Sequence, residues 1–266
     1  MIKTWENYIT IKQLLILGKK KTAVSMAVKL LEPAKRAGCT EVVVGLASLL
    51  EGHFGALEID ERKYIKYRDI REEYSGFLND EIEVKALQAR LVYFQEKGKD
   101  IRRLAKDVAI LKAKATGSVT FIRYRFSVLS LWFEHWGDAE SLLDTSWETL
   151  AAYESASSKV PPDTLTNLYF RMTPILSRAG KFAEAEALVS KALQSAREGS
   201  QNWHLFMLQR VCLGFDSQKP DIIRVTLGLA QAAPREHDNP DIDRSWELVQ
   251  QMLAGVELGD VWRVLF

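Results

Sequence analysis

Along most of the chain, apolar residues recur at spacings of three and four, the period of one helical face; alternation with a period of two is scarce. The pattern predicts helices at residues 3–17, 20–37, 40–56, 60–78, 80–97, 99–115, 118–136, 138–156, 162–179, 181–197, 200–214, 219–233 and 240–254. The fold class expected is all-α. Seven prolines and fifteen glycines punctuate the helices, and no Asn-Gly or Asp-Gly pair marks a hairpin. One segment competes: VVVGLASLL, residues 42–50, opens on β-branched residues that suit a buried strand. It has no second run of its kind to pair with, so a helix is the expectation. Two prolines in Val160-Pro161-Pro162 stop one helix and set Pro162 or Asp163 as the start of the next, which reads as a loop inside a single domain.

The helices fall into pairs. Gly18, Gly98, Gly137 and Gly180 each sit where one helix ends and another begins, at separations of about 40 residues once one glycine is skipped, and such a period marks stacked helical hairpins. Side chains keep the same register. Eleven residues before each of the last three glycines stand Leu87, Phe126 and Tyr169, and four before stand Phe94, Phe133 and Leu176. These offsets lie seven apart, on one helical face. No glycine occupies the next expected turn, near Ser217, yet Phe206 and Leu213 keep both offsets from it. After the turn, Phe182, Ala185, Val189 and Ala192 recur in kind as Lys219, Ile222, Thr226 and Leu229, small or medium residues where paired helices approach closely. Leu104, Val108 and Leu111 lie one residue later than this register asks.

The stretch GKFAEAEALVSKAL, residues 180–193, resembles the second helix of a tetratricopeptide repeat, with its glycine turn, aromatic and spaced alanines; Tyr169 and Leu176 are similar to large positions of the first helix. The resemblance runs over 162–197 and then over 80–156 and 200–233. It departs from the family in a unit of about 40 residues rather than about 34, in Thr173 at a position that prefers a small residue, and in lacking a proline near 197. It implies a right-handed superhelical solenoid of antiparallel helical hairpins, one domain over 1–266. Residues 1–79 form divergent hairpins, 80–233 the clearest repeats and 234–266 a capping helix with an apolar tail.

The resemblance also implies that first helices line a concave groove. The family's contact positions carry over to Lys85, Gln88, Val92 and Gln95; to Tyr124, Ser127, Leu131 and Glu134; to Asn167, Phe170, Pro174 and Arg178; and to His204, Met207 and Val211. The set is mixed, without the repeated Lys and Asn that clamp a peptide carboxylate, so a segment of another protein held by aromatic and apolar anchors is the expected occupant. The ending VWRVLF adds a possible interface at Trp262, Leu265 and Phe266, closed by folding back, by a second copy or by a partner.

Charge and chemistry alter this picture little. Thirty-six Lys and Arg balance thirty-five Asp and Glu, for a formal charge of +1, so no global field favours nucleic acid or an anionic membrane. Cys39 and Cys212 are the two cysteines, outside any metal-ligand spacing, which suits a reducing compartment; Cys39 precedes a helix start, where a dipole favours thiolate, but an ordinary thiol is expected. Trp5, Glu6 and Asn7 interrupt any signal-peptide pattern and no run of about 18 apolar residues occurs, so the expectation is cytoplasmic with no membrane partner. His53, His135, His204 and His237 are far apart in sequence, and no common catalytic motif is present. The one acidic candidate, REHDNPDID at 235–243, reads as a loop before the last helix rather than a cation site. Lys19-Lys20-Lys21 and Arg123-Tyr124-Arg125 invite a nucleic-acid reading, but read more simply as a solvated turn and a packed helix with one snorkelling charge. The seven tryptophans are expected mainly as core anchors. The function implied is a non-enzymatic interaction scaffold or adaptor without cofactors, binding a protein or peptide segment. A ligand- or peptide-sensing module is the alternative class, followed by a nucleic-acid-binding repeat and then an enzyme.

Overall fold

The structure is a computed structural model that describes residues 2–114, 117–156, 160 and 162–255. Among them are twelve α-helices, one short 3-10 helix and no strand. In chain order the helices are α1 (Ile2–Ile16), α2 (Lys20–Arg36), α3 (Thr40–Ala56), α4 (Glu61–Glu96), α5 (Ala105–Ala113), α6 (Val119–Trp136), α7 (Ala139–Ser155), α8 (Pro162–Arg178), α9 (Phe182–Ser195), α10 (Gln201–Asp216), α11 (Pro220–Ala232) and α12 (Pro240–Gly255). Among the described residues no helix is long and apolar enough to cross a membrane. Contacts divide the chain into two compact units, Met1–Val160 and Pro161–Phe266. The division falls at the proline pair, where the sequence suggests only a loop inside one domain.

In the first unit each helix packs on its neighbours: α1 on α2, α2 on α3, α3 on α4, α4 on α6 and α6 on α7. The strand-like 42–50 segment is helical. Val42, Val43, Leu46, Ala47 and Leu50 are fully buried, two adjoining stripes that suit a helix covered by α2 on one side and α4 on the other. Residues 60–78 and 80–97, expected as two helices, form the single 36-residue helix α4. Gly76 and Asn79 are weak helix formers, each worth about 1 kcal/mol or less against helix, and packing outweighs them. The first part of α4 lies along α3, where Phe54 stacks on Tyr67 and Arg71 meets Glu51. Its last part lies along α6. At the changeover the buried Glu81 accepts hydrogen bonds from Thr40 Oγ1 (2.6 Å) and Ser118 Oγ (2.5 Å), joining three helices. The late register of Leu104, Val108 and Leu111 also finds its cause: a 3-10 helix, Ile101–Leu104, precedes α5, which starts at Ala105.

In the second unit α8 packs on α9, α10 on both of them and on α11, and α12 on α10. Of the four alanines of the 180–193 stretch, Ala185 and Ala192 are buried, and Ala183 and Ala187 are exposed. Ala192 and Val189 pack against a large residue of α10, Phe206.

One turn recurs in both units. At Gly18, Gly38, Gly98, Gly137, Gly180 and Gln218 the backbone takes a positive φ, its N–H returns to the carbonyl three residues back, and the following N–H returns to the carbonyl four before the turn residue. This is the Schellman closure of a helix. Gln218 at φ +55° corrects the turn expected near Ser217 by one residue. Met207 and Gly214 therefore hold the offsets assigned by sequence to Phe206 and Leu213, though all four are buried. A Cβ on Gly214 would stand 2.7 Å from Ile223 Cγ1, so this glycine lets α11 approach α10. The skipped glycine between Gly18 and Gly98 has a counterpart in Ile59, at φ +53°.

Two glycines make a test of turn geometry. Gly180 has open space where a Cβ would go, whereas on Gly199 it would meet the Pro234 carbonyl oxygen at 2.1 Å. Gly180→Ala is expected to cost about 1–2 kcal/mol from its left-handed backbone alone, and Gly199→Ala clearly more, read as midpoints of chemical unfolding. Equal losses would contradict the assignment.

Candidate functional site

Of the helices to which contact positions were assigned, α4, α6 and α8 present a solvent-facing strip. In the first unit it runs along the end of α4 and along α6. Lys85 is exposed and its ammonium stands 5.4 Å from the centre of the Tyr124 ring; Gln88 Nε2 donates to Ser127 Oγ at 2.7 Å. Val92 and Glu134 are exposed at the far end, with Gln95 and Leu131 half-buried. The structure thus brings four of the predicted positions together as two contacts, Lys85 with Tyr124 and Gln88 with Ser127.

In the second unit the strip lies on α8, where Asn167, Phe170, Pro174 and Arg178 are all exposed. The Phe170 ring, 38% exposed, meets the buried Phe206 edge-on with centroids 6.0 Å apart. Its carbonyl accepts from Gln209 Nε2 at 2.7 Å, and Ser177 Oγ donates to Asp216 Oδ2. In both units the hydrogen-bonded partners between first helices stand 39 residues apart, so the repeat period is present as physical contact as well as spacing.

His204 is a correction. It is 1% exposed, and Met207 and Val211 are buried with it, because α10 is covered by α8, α9, α11 and α12. Polar contact from α10 to α8 is made by Gln209 and Asp216 instead. Trp262, Leu265 and Phe266 lie outside the described residues.

Other candidates resolve differently. Arg125 is the packed member of its cluster: it is buried, while Arg123 is exposed, and its guanidinium donates to the Leu111 (3.3 Å) and Lys112 (2.9 Å) carbonyls at the end of α5 and pairs with Glu148 at 3.2 Å. A cation on the last carbonyls of a helix is stabilising, and this one is not available to phosphate. Arg123 stands over the Tyr124 ring at 4.9 Å. Cys39 is buried, which pushes its thiol pKa up, away from thiolate. Of the tryptophans, Trp203 and Trp246 are buried, while Trp136 and Trp147 are exposed.

Within 235–243 two of the four acidic groups are paired with neighbours. Glu236 pairs with Arg197, and Asp243 with Arg235 at 3.1 Å. Asn239 Oδ1 accepts from the Asp241 N–H at 3.1 Å, opening α12. Among the described residues no group of three or more His, Cys, Asp or Glu is placed to hold a metal ion. The loop does something the sequence conceals. It carries His237 to His204, with ring centroids 4.8 Å apart, so two histidines remote in sequence are neighbours.

A second feature was not legible in the sequence. Between α4 and α5 lies a slot of about 350 Å³, floored by Val84, Leu87, Leu111 and Phe121. Two ion pairs, Asp80 with Lys114 and Arg90 with Asp107, bridge the two helices beside it. Comparison of the chain with family models, curated proteins and solved structures finds no match in any of the three.

Proposed function

We propose that the protein is a helical-repeat interaction module of tetratricopeptide-like type, its hairpins stacked in a right-handed solenoid, and that the first-helix strips bind a segment of a partner protein. The observation that carries this reading is Phe170. An aromatic ring left 38% exposed on a helix face, yet fixed edge-on by a buried neighbour, is an anchor with little rotamer freedom to lose on binding. Asn167, Pro174 and Arg178 around it supply a polar and apolar rim. Lys85, Gln88, Tyr124 and Ser127 present the same mixture in the first unit.

The test is recovery of partners from the source cells with wild type and with the Tyr124→Ala, Asn167→Ala, Arg178→Ala triple variant. The variant should melt close to wild type, because Asn167 and Arg178 are exposed, and should lose one partner. Equal recovery from both proteins would move the site off these strips.

One observation favours a sensing role as the second reading. The slot between α4 and α5 lies within the roughly 300–1,000 Å³ of small-molecule sites and has their apolar floor, with Asp80, Glu83, Arg90, Asp107 and Lys114 also lining it. A nucleic-acid role has lost Arg125, which the end of α5 occupies.

A further inference from the structure

The second unit contains a cavity of about 120 Å³ between α10, α11 and α12, on the order of four water volumes. His204, Gln231, Arg235, Trp246 and Gln250 line it, with Leu227 and Ala230 at its apolar side. Two of these side chains are both deeply buried and unmatched. His204 is 1% exposed and neither ring nitrogen has a hydrogen-bond partner; Trp246 is 4% exposed and its Nε1–H has none. The Pro234 carbonyl acts on the His204 ring, but no nitrogen meets it at hydrogen-bond geometry.

His237, half-buried and in ring contact with His204, is unmatched at one nitrogen. Its Nδ1 accepts from the Asn239 N–H at 3.2 Å, so in the neutral ring Nε2 carries the hydrogen, and Nε2 is buried without a partner. Buried polar groups are almost always matched, and leaving them unmatched destabilises a fold. A leucine at 204 would fill the space without that cost. The polar choice points to a ligand.

We propose that this cavity binds a small carboxylate. The unmet demand is for an acceptor: Trp246 Nε1–H and one His204 nitrogen are donors without a partner in the chain, the guanidinium of Arg235, already paired with Asp243, adds positive charge beside them, and a carboxylate accepts about four hydrogen bonds through two oxygens without asking for any in return. Leu227 and Ala230 suit a short hydrocarbon stem. A metal is the poorer occupant, since the two histidines have no third ligating side chain.

Charge around His204 adds a signature. Burial first, then His237 and Arg235, hold its pKa below the ordinary histidine value, while the Pro234 carbonyl and Asp243 act the other way; Asp243 is paired with Arg235, and Glu236 with Arg197. Its surroundings in the chain therefore keep His204 neutral at neutral pH. A carboxylate beside it favours the imidazolium and turns its second nitrogen into a donor, so binding takes up a proton. This inference concerns the far side of α10 from the strip and stands or falls independently of the partner-binding reading.

The experiment titrates the full chain with propionate and with the neutral propionamide, by calorimetry in buffers of different ionisation enthalpy and by the indole N–H resonance of Trp246. Propionate should bind saturably, shift that resonance and take up protons; propionamide should bind far more weakly. Trp246→Phe, which deletes one N–H, should weaken propionate about tenfold. His204→Leu should melt higher than wild type and bind no propionate. Absence of saturable propionate binding, equal binding of propionamide, or unchanged affinity in both variants would overturn the proposal.

Discussion

Phe206→Ala is expected to be the most damaging single truncation in the second unit, at about 3–5 kcal/mol. Phe206 is 1% exposed and sits on Val189 and Ala192 of α9, with its edge on Phe170 of α8. The cost of a cavity depends on whether the surroundings can collapse into it. Here the facing residues are small and belong to a helix already packed on α8, so they have little to move inward. The loss should therefore fall at the upper end of that range and be visible as a lowered midpoint in urea. Phe206→Leu should cost about 1–1.5 kcal/mol. A loss below that for the alanine variant would show that Phe206 is not the side chain that fills the thinly clad face of α9.

In the first unit the largest polar effect should come from Glu81→Leu, at about 2–4 kcal/mol, because hydrogen bonds to a charged group are each worth about 1.5–3 and part of that gain is offset by the carboxylate's own desolvation. Glu81 takes the Thr40 hydroxyl from α3 and the Ser118 hydroxyl from the start of α6, while Lys85 Nζ stands 3.8 Å from its other oxygen. Ser118 meanwhile accepts the Phe121 N–H at 3.0 Å, so its hydroxyl both donates to Glu81 and caps α6. With leucine at 81, the buried Thr40 hydroxyl has no acceptor. Glu81→Gln keeps an oxygen there and should cost about half as much. Thr40→Val in the Glu81→Leu background should recover stability, since it removes the orphaned donor. If Glu81→Leu unfolds at the wild-type midpoint in urea, the buried carboxylate does not join these helices.

The two sites differ in how far the sequence discloses them. Helical period was legible almost everywhere, because one-sided burial writes itself at spacings of three and four; even VVVGLASLL followed it, with its two stripes covered by two helices. The fused helix α4 was not legible, because Gly76 and Asn79 look like an end and the packing that overrides them comes from α3 and α6. The strip positions Lys85, Gln88, Tyr124, Ser127, Asn167 and Phe170 could be counted from the glycine turns. His204 could not, since α12, distant in sequence, buries the face it stands on. The same blindness hid the contact of His204 with His237: the positions are remote, and the link is a loop whose course is set by Asn239 and by the Glu236 N–H bond to the Gly199 carbonyl (2.9 Å). Ring contacts of that kind leave no period.

The central claim is that partners meet first helices and not second ones. It is tested most directly by placing a photo-activated cross-linking residue at Tyr124 or Phe170, on α6 and α8, and separately at the exposed Lys106 or Glu184, on α5 and α9. Irradiation in the source cells should join a partner to the protein through Tyr124 or Phe170 and leave the Lys106 and Glu184 variants unjoined. Equal cross-linking from all four positions, or cross-linking from Lys106 and Glu184 alone, would contradict the account.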